Sequence, residues 1–464
     1  MRRAGLILAI IGWMLVPAAA QQLIWLGPLE GVASSKATDV TWHDGQLVVV
    51  GSADFGSGWP HAFRWTPQTG MIDLGTLSSS PFASSSAAAI DPTGTWITGV
   101  TDVESGAAHV FLWSAATGMT DLGAVGDTAL TSVSAVSSDG MRVAGAAESP
   151  HPRAVAWTQG SGWAFLFDTD WASHAHAMTA DGQTIVGSFS YPDNGPNSAF
   201  RWTAAGGVED LNQTYAALLG GLPPSFLDGA RGISPDGRYI VGGGFNGQTL
   251  RPEPYLLDTQ TPFVRFLGLP GNAIYAAEAR DVSADGQVVV GTALASTMPV
   301  GRAFWWTPDT GIEDLNAVFA DALSDGSWLS EALAVSPDGR YIVGYGSHAA
   351  TNSTQAWLID RLGTTTEAGE AAGMTIGWQC YPNPFREVLW VQLDLPQAMP
   401  LRLAVAAADG REVAVVHDGW LHAGRHQWSW TGRDAAGRRL PEGVYILTAR
   451  GPRVSLSQKV VLLP

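Results

Sequence analysis

Seven polar side chains of this sequence have types and spacings that could serve binding or catalysis. They are Lys36, His174, His176, Arg231, Glu278, Arg280 and Glu331. His174 and His176 are two residues apart, so a β-strand would place both rings on one face, as metal ligands or a proton-transfer pair require. The alternative is a set of hydrated polar residues at the mouth of a channel. We predict a ligand site, with no catalytic residue and no metal ligand assigned.

Four sequence motifs that mark common metal, nucleophile and phosphate sites do not occur in the chain. The zinc pattern HExxH is absent, as are GxSxG, a phosphate-binding loop and the calcium pattern DxDxDG. Asp73, Asp121, Asp210 and Asp314 recur at one position of a repeat, which favours an architectural role. Two acids from different repeats could still form the carboxylate pair of a glycoside hydrolase. The sequence implies no cofactor.

An internal repeat determines where the polar candidates lie. The peptide SPDGRYIVG ends at Gly242 and again at Gly344, and looser copies end at Gly51, Gly99, Gly145, Gly187 and Gly291. Each cycle has four short apolar segments, and the Asp-Gly pair is typical of a tight turn between two strands. Four strands every ~40 to 50 residues are typical of propeller blades. The sequence therefore predicts an all-β fold with a seven-bladed β-propeller of four-stranded blades.

The seventh cycle lacks a fourth strand after Ile359. The unpaired segment LIWLG, at Leu23 to Gly27, matches the missing piece. We therefore predict that the N-terminal strand closes the last blade, which removes an exposed sheet edge. The propeller is predicted to span residues 21–361. The third and fifth cycles depart from the consensus, so their blades are expected to be less regular.

Alignment of the cycles places the polar candidates on the strand before each Asp-Gly turn. This strand has a small residue and, three residues later, a larger apolar one, as at Ala37 and Val40. Both positions are predicted to pack in every cycle. The positions beside the small residue vary, and they hold the seven candidates. If this strand is the innermost one, the candidates converge near the channel mouth.

The repeat resembles the HAF-type extracellular repeat. That family is named for a His-Ala-Phe sequence, found here at His61, Ala62 and Phe63 and followed by a Trp and a D-L-G or D-L-N segment. The resemblance covers roughly residues 21–360. It implies an exported, β-propeller-like body and brings no reaction or catalytic residues with it.

The N-terminal 20 residues have the layout of a cleavable secretory signal. Arg2 and Arg3 precede an apolar stretch from Gly5 to Val16, and three alanines follow. The mature chain is expected to begin at Gln21. The apolar stretch is shorter than the roughly 20 residues that a spanning helix needs, so no transmembrane segment is predicted in the mature chain.

Residues 362–380 are predicted to be a linker, and residues 381–464 a small Ig-like β-sandwich of about seven strands. The latter region resembles the C-terminal sorting domain of the type IX secretion system. The resemblance is carried by Tyr381, Pro382, Asn383, Pro384, Phe385, Gly443, Tyr445 and Lys459. It implies passage through the outer membrane by a secretion translocon. Flagellar hook-capping proteins contain a related Ig-like fold without a sorting role, so an accessory sandwich is the alternative.

The charge of the chain disfavours a nucleic-acid partner. It has 25 Lys and Arg against 42 Asp and Glu, a net charge of −17. An acidic surface repels polyanions. Cys380 is the single cysteine, so no intramolecular disulfide can form. We expect a secreted or cell-surface bacterial protein that binds a glycan or a protein without catalysis. An extracellular polysaccharide hydrolase or lyase with its site in the propeller funnel is the alternative.

Overall fold

The computed structural model describes residues 21–27, 33–124, 130–148, 151–167, 171–192, 196–271, 274–295, 301–362, 377–395, 399–407, 411–421, 424–434, 437–451 and 454–463. The chain divides into two compact units, and the larger spans Ala20–Thr364. The predicted signal and most of the predicted linker lie outside the described residues, so their boundaries stay predictions. Each helix of the described part has four residues, too few to cross a membrane.

Seven four-stranded antiparallel sheets form the larger unit, as predicted for a seven-bladed propeller. The first strand is β1 (Gln22–Trp25). Blade 1 contains β2 (Ser34–His43), β3 (Gln46–Asp54), β4 (His61–Thr66) and β5 (Gly70–Asp73). Blade 2 contains β6 (Ser85–Ile90), β7 (Ile97–Asp102), β8 (Ala108–Ser114) and β9 (Gly118–Asp121). Blade 3 contains β10 (Leu130–Val136), β11 (Arg142–Glu148), β12 (Pro152–Thr158) and β13 (Gly162–Phe165).

The remaining blades follow the same order, and two of them are followed by a short helix. Blade 4 contains β14 (Ser173–Met178), β15 (Thr184–Ser190), β16 (Asn197–Thr203) and β17 (Gly207–Asp210), then helix α1 (Leu211–Thr214). Blade 5 contains β18 (Phe226–Ile233), β19 (Tyr239–Asn246), β20 (Arg251–Asp258) and β21 (Phe263–Phe266). Blade 6 contains β22 (Ile274–Val282), β23 (Val289–Ala295), β24 (Gly301–Thr307) and β25 (Gly311–Asp314), then α2 (Leu315–Val318). Blade 7 contains β26 (Trp328–Val335), β27 (Tyr341–His348) and β28 (Ser353–Asp360).

The N-terminal strand completes blade 7, as predicted. Strand β1 pairs antiparallel with β28, with Gln22 opposite Asp360 and Trp25 opposite Trp357. The first strand of each blade contacts the first strand of the next, and β26 contacts β2, so these strands form a closed ring. They are therefore the innermost strands. Blades 3 and 5 have the same four-stranded order as the others, so the expected irregularity does not extend to their sheet order.

The Asp-Gly pairs are turns, and in five of the six the carboxylate accepts hydrogen bonds from groups of the same turn. In blade 1, Asp44 and Gly45 have φ angles of 46° and 78°, and they alone separate β2 from β3. In the peptide SPDGRYIVG, Asp236 accepts from the Ser234 hydroxyl at 2.6 Å and from the Arg238 amide at 3.0 Å. The repeated peptide is therefore architecture.

A β-bulge interrupts the innermost strand of every blade at the same position. In blade 4, Ala175 pairs with Gly187 and Ala177 with Val186, so His176 is the extra residue. Bulges of this kind change the direction of a side chain. They also explain the repeated glycine, because a Cβ on the seven glycines would lie 1.8 to 2.3 Å from a carbonyl oxygen of the bulged strand. No larger residue fits there without a backbone shift.

The fourteen positions predicted to pack are all buried, among them Ala37 and Val40. Recurrent polar pairs hold the outer strands. Asp73 and Asp121 each bind Nδ1 of a histidine, His61 and His109, at 2.9 Å. The corresponding Asp314 accepts from Arg302 at 2.7 Å. These contacts agree with an architectural role for the repeated aspartates.

The smaller unit contains two packed sheets, as expected for a sandwich. One has β29 (Gly377–Tyr381), β30 (Leu389–Leu395) and β33 (Gly424–Trp430). The other has β31 (Met399–Ala407), β32 (Glu412–Leu421), β34 (Gly443–Gly451) and β35 (Val454–Leu462). Phe385, Trp430 and Tyr445 contribute to its buried core. The centroid of the Trp430 ring lies 5.5 Å from that of Phe385 and 5.5 Å from that of Tyr445.

Candidate functional site

The bulge residues of all seven blades line one cavity of about 470 Å³ in the central channel. Their identities divide the ring into two parts. Blades 4, 5 and 6 supply an imidazole and two guanidinium groups, whereas the other four supply small or apolar side chains. The seven residues are Thr38, Ala88, Ser134, His176, Arg231, Arg280 and Leu333. The bulge positions of a seven-fold scaffold thus carry their imidazole and guanidinium groups on one side of the ring.

Arg231 is the centre of a network that joins three blades. Its Nη1 donates to Nε2 of His176 in blade 4 at 2.8 Å, and its Nε donates to Oε1 of Glu278 in blade 6 at 2.5 Å. The second oxygen of Glu278 lies 3.3 Å from Nη1 of Arg280. The structure therefore brings together four of the predicted residues, and we call His176, Arg231, Glu278 and Arg280 the channel network.

The two histidines of blade 4 lie on one face, as predicted, although a bulge rather than simple alternation places them there. Their rings stack with centroids 5.8 Å apart and planes 4° apart. Burial holds the pKa of His176 well below its usual range, and the charge of Arg231 lowers it further. The pKa of His174 is lowered by the same two causes. Both rings are therefore neutral near pH 7. His176 must be neutral to accept the hydrogen bond from Arg231.

Lys36 and Glu331 meet around Tyr345 of blade 7. The Tyr345 hydroxyl donates to Oε1 of Glu331 at 2.6 Å, and the Lys36 ammonium lies 4.5 Å from the centre of the Tyr345 ring. Tyr345 was not predicted, because it lies on the second strand rather than the innermost one. Burial is the main cause that raises the pKa of Tyr345, and the hydrogen bond to Glu331 raises it further. The tyrosine therefore acts as a neutral donor.

Arg280 is the least satisfied member of the channel network. Its Nε is buried and has no hydrogen-bond partner among the described residues, although its Nη1 contacts Glu278. An unpaired buried donor is costly unless a ligand or water accepts from it. Glu278 itself fits because Gly243 has no side chain, since a Cβ there would lie 3.2 Å from Cγ of Glu278. The run of three glycines at 242–244 was the sequence signal for this close approach.

The opposite half of the ring uses its bulge hydroxyls to join blades. Thr38 donates to the carbonyl of Ala87 at 3.0 Å, and Ser134 donates to the carbonyl of Ala175 at 2.8 Å. Each bond links one innermost strand to the next. These hydroxyls are occupied by bonds between blades, whereas the charged side chains of the channel network lie on blades 5 and 6 and its imidazole lies on blade 4.

Two carboxylates of the cavity wall were missed by the sequence analysis. Asp39 and Asp281 directly follow the bulge residues of blades 1 and 6. Each accepts from its own following amide and from an amide of the next blade, Ile90 or Val335, at 2.7 to 2.9 Å. The sequence repeat could have identified them, because an aspartate occurs at this position in two cycles and Ala or Gly occurs in the other five.

The environment of these two carboxyl groups favours their protonated form. Burial raises the pKa of Asp39 to about 8, and the charge of Asp281 adds to this. Burial raises the pKa of Asp281 to about 7. The accepted backbone hydrogen bonds act in the opposite direction, but burial outweighs them. Asp228, beside the channel network, has a pKa raised to about 6 by burial and by Glu278.

The described residues hold no group of three or more His, Cys, Asp or Glu side chains suited to a metal ion. Cys380 is partly buried, which raises the pKa of its thiol to about 11. The thiol is therefore protonated at neutral pH and a weak nucleophile.

The predicted sorting residues have structural contacts in the smaller unit. Asn383 donates to the carbonyl of Lys459 at 2.8 Å and accepts from the amide of Val461 at 2.9 Å. Phe385 is buried, and the Tyr445 hydroxyl donates to the carbonyl of Pro441 at 2.8 Å. Pro382 and Pro384 lie in the same segment, and Gly443 begins β34. Tyr381 is exposed, with its hydroxyl 3.2 Å from Nε2 of Gln427.

Comparison with known proteins supports an Ig-like fold for the smaller unit. The model of the FlgD Ig-like domain family matches residues 388–452. A search of curated proteins finds no significant match. The crystal structure of oligogalacturonate lyase from Vibrio parahaemolyticus is 10% identical, with a TM-score of 0.47 over 73% of this chain and 93% of that chain. TolB from Acinetobacter baumannii is 14% identical, with a TM-score of 0.35 over 67% and 77%.

A third similar structure is the acylaminoacyl peptidase of Pyrococcus horikoshii. It is 12% identical, with a TM-score of 0.43 over 79% of this chain and 59% of that chain. At identities this low, none of these likenesses transfers an activity, since one fold supports many functions.

Proposed function

We propose that this chain is an exported, non-catalytic β-propeller that binds a glycan or protein ligand at its central channel. The observation that carries the proposal is the channel network on blades 4 to 6. Three of its four members are bulge residues, at positions that the other blades fill with small or apolar side chains. A scaffold alone needs no such asymmetry, and a few convergent polar groups in a concave site are typical of ligand binding.

Binding by the mature chain tests the proposal directly. The chain that begins at Gln21 is labelled and applied to a glycan array. The variant His176→Ala/Arg231→Ala/Arg280→Ala is expected to lose binding at least about tenfold, since it removes several desolvated hydrogen-bond partners. The matched control is Ser86→Ala/Ser132→Ala, on the innermost strands of blades 2 and 3. Equal binding by the triple variant would contradict the proposal.

A polysaccharide hydrolase or lyase is the second candidate, and the raised pKa values of Asp39 and Asp281 favour it. A carboxyl that titrates near neutrality can serve as a general acid or base. Any polysaccharide that binds is therefore incubated with the mature chain, and new reducing ends or unsaturated products are measured. Product that disappears in Asp39→Asn and Asp281→Asn supports the enzyme. Binding without product supports the non-catalytic function.

The C-terminal domain is proposed to route the chain to the cell surface or the medium through a secretion translocon. What supports this is its Ig-like fold, together with the resemblance of its motifs to sorting domains. Mass spectrometry of the fractionated host culture is the test. We expect the propeller in the medium or on the outer membrane. A periplasmic protein that retains residues 381–464 contradicts the proposal.

A further inference from the structure

Two aromatic side chains project into solvent from neighbouring loops of blades 1 and 2. Trp59 is 44% exposed and Phe82 is 67% exposed. Their ring centroids are 6.3 Å apart, and the planes meet edge to face at 71°. Trp59 lies between β3 and β4, and Phe82 lies between β5 and β6. Both loops therefore belong to the end of the propeller at which the innermost strands begin.

The Trp59 loop is held rigidly although its ring is exposed. Oδ1 of Asp54 accepts from the amides of Gly56 and Gly58, both at 2.9 Å. The Ser57 hydroxyl accepts from the Trp59 amide at 3.0 Å and donates to the Trp59 carbonyl at 2.8 Å. The indole is thus presented by a turn whose backbone is already ordered. Such a group loses little conformational entropy when a ligand binds.

The Phe82 loop is ordered in the same way and is joined to the first. Ser79 donates its amide to Oε1 of Glu104 at 2.7 Å, and Ser80 accepts from the Phe82 amide at 3.3 Å. The amide of Ser85 donates to the carbonyl of Pro60 at 2.9 Å. The backbones that carry the two rings are therefore joined by the fold.

The surroundings of the two rings indicate the class of ligand. The other residues of the turns are mostly Gly, Ser and Pro, and the carboxylates of Asp54, Asp102 and Glu104 accept from amides of the turns. The larger apolar residues of these loops, Phe55, Leu74 and Leu77, are partly buried against the core, so an aliphatic protein surface would meet little apolar rim. An anionic ligand would meet repulsion from the carboxylates. A pyranose ring presents a C–H face to an aromatic ring and hydroxyls to polar groups at its edge, which matches both features.

We propose that Trp59 and Phe82 form a binding corner for a neutral hexopyranose chain. This inference shares with the proposed function the premise that the propeller binds a ligand, but it names another surface and a ligand class. The corner lies on blades 1 and 2, away from the channel network on blades 4 to 6.

Affinity electrophoresis of the mature chain tests the corner. The gels contain a soluble neutral β-glucan, a mannan, a xylan, or polygalacturonate as the anionic probe. At least one neutral polysaccharide is expected to retard the wild type, and Trp59→Ala/Phe82→Ala is expected to weaken that binding about tenfold or more. The matched control is Phe263→Ala, which removes another exposed ring, 40% exposed in blade 5. Circular dichroism verifies that each variant is folded.

The outcomes separate this inference from the proposed function. Loss of binding in Trp59→Ala/Phe82→Ala, with binding kept in Arg231→Ala/Arg280→Ala, supports the corner. The reverse pattern overturns the corner and supports the channel. Failure of every neutral polysaccharide to retard the wild type, or a preference for polygalacturonate, also overturns it.

Discussion

The guanidinium of Arg231 donates from Nη1 to Nε2 of His176 across the interface of blades 5 and 4, at 2.8 Å. Because a guanidinium has no acceptor, Nε2 must be the unprotonated nitrogen of the ring. A proton on His176 would remove this hydrogen bond and place a second cation beside Arg231. The pair therefore fixes the charge of the channel wall: the arginine is positive and the histidine is neutral.

Replacing Arg231 is expected to raise the pKa of His176. Burial is the main cause of its lowered pKa and Arg231 is the second, so Arg231→Met removes a neighbouring charge. The measurement is an NMR titration of histidine ring protons, with the signal assigned by its absence in His176→Gln. The wild-type ring is expected to stay neutral to a lower pH than the ring in Arg231→Met. An unchanged titration midpoint would contradict the network described here.

Asp39 and Asp281 are expected to make the propeller less stable as the pH rises. Their pKa values in the folded chain, about 8 and about 7, exceed the ordinary aspartate value, so the folded state holds protons that the unfolded state has released. That contribution is complete below the ordinary carboxyl pKa and is lost as the pH rises through 7 and 8. One proton held by the folded chain and released by the unfolded chain corresponds to about 1.4 kcal/mol per pH unit.

Calorimetry of the propeller transition at several pH values checks this expectation. Asp39→Asn/Asp281→Asn lacks both titrating groups, so its stability should fall less steeply with pH than that of the wild type. A constant offset is expected in addition, because each asparagine replaces one acceptor oxygen by a donor. Parallel pH profiles for the two proteins would show that the carboxyl groups are ionised throughout.

The repeated glycine is expected to be indispensable where the bulge approaches it. In Gly344→Ala the new Cβ would lie 1.8 Å from the carbonyl oxygen of Glu331 and 2.6 Å from the Trp357 ring. Because a backbone shift must relieve this overlap, we expect a loss of at least about 3 kcal/mol or failure to fold. Gly220→Ala is the control, since its Cβ would meet nothing closer than 4.0 Å. Thermal unfolding of both variants decides the matter.

The sequence allowed the propeller to be predicted because each blade repeats the same few constraints. The glycine and the buried pair represented by Ala37 and Val40 return in every cycle, and the Asp-Gly turn returns in six of the seven, with Thr93 and Gly94 in its place in blade 2. The missing fourth strand of blade 7 also identified its replacement at Leu23 to Gly27. A local pattern that must recur seven times leaves little freedom in assigning the fold.

The candidate site was only partly predictable, because its geometry depends on an insertion that periodicity does not reveal. Alternation of apolar and polar residues along a strand does not reveal a β-bulge. It therefore gives no indication that His176 is the extra residue in the pairing of β14 with β15. The contact of Arg231 with His176 joins residues of different blades, so no local spacing encodes it. Asp39 and Asp281 differ in this respect: comparison of the cycles at their position would have identified them.

Leu250 is expected to lower the stability of blade 5. It has a φ of 59° and is 60% exposed, so a left-handed backbone carries an apolar side chain into solvent. The turn is held by Asn246, whose carbonyl accepts from the Leu250 amide at 2.8 Å and whose side chain donates to buried Glu253 at 2.9 Å.

Leu250→Gly should relieve about 1 to 2 kcal/mol of backbone strain and lose about 0.5 to 1 kcal/mol to the greater entropy of the unfolded chain. The net gain is expected to centre on about 0.75 kcal/mol, measured on the propeller transition by calorimetry. No gain is expected in Leu250→Ala, which keeps the same strain. A gain of equal size in both variants would mean that side-chain exposure, rather than the backbone, is the source of the cost.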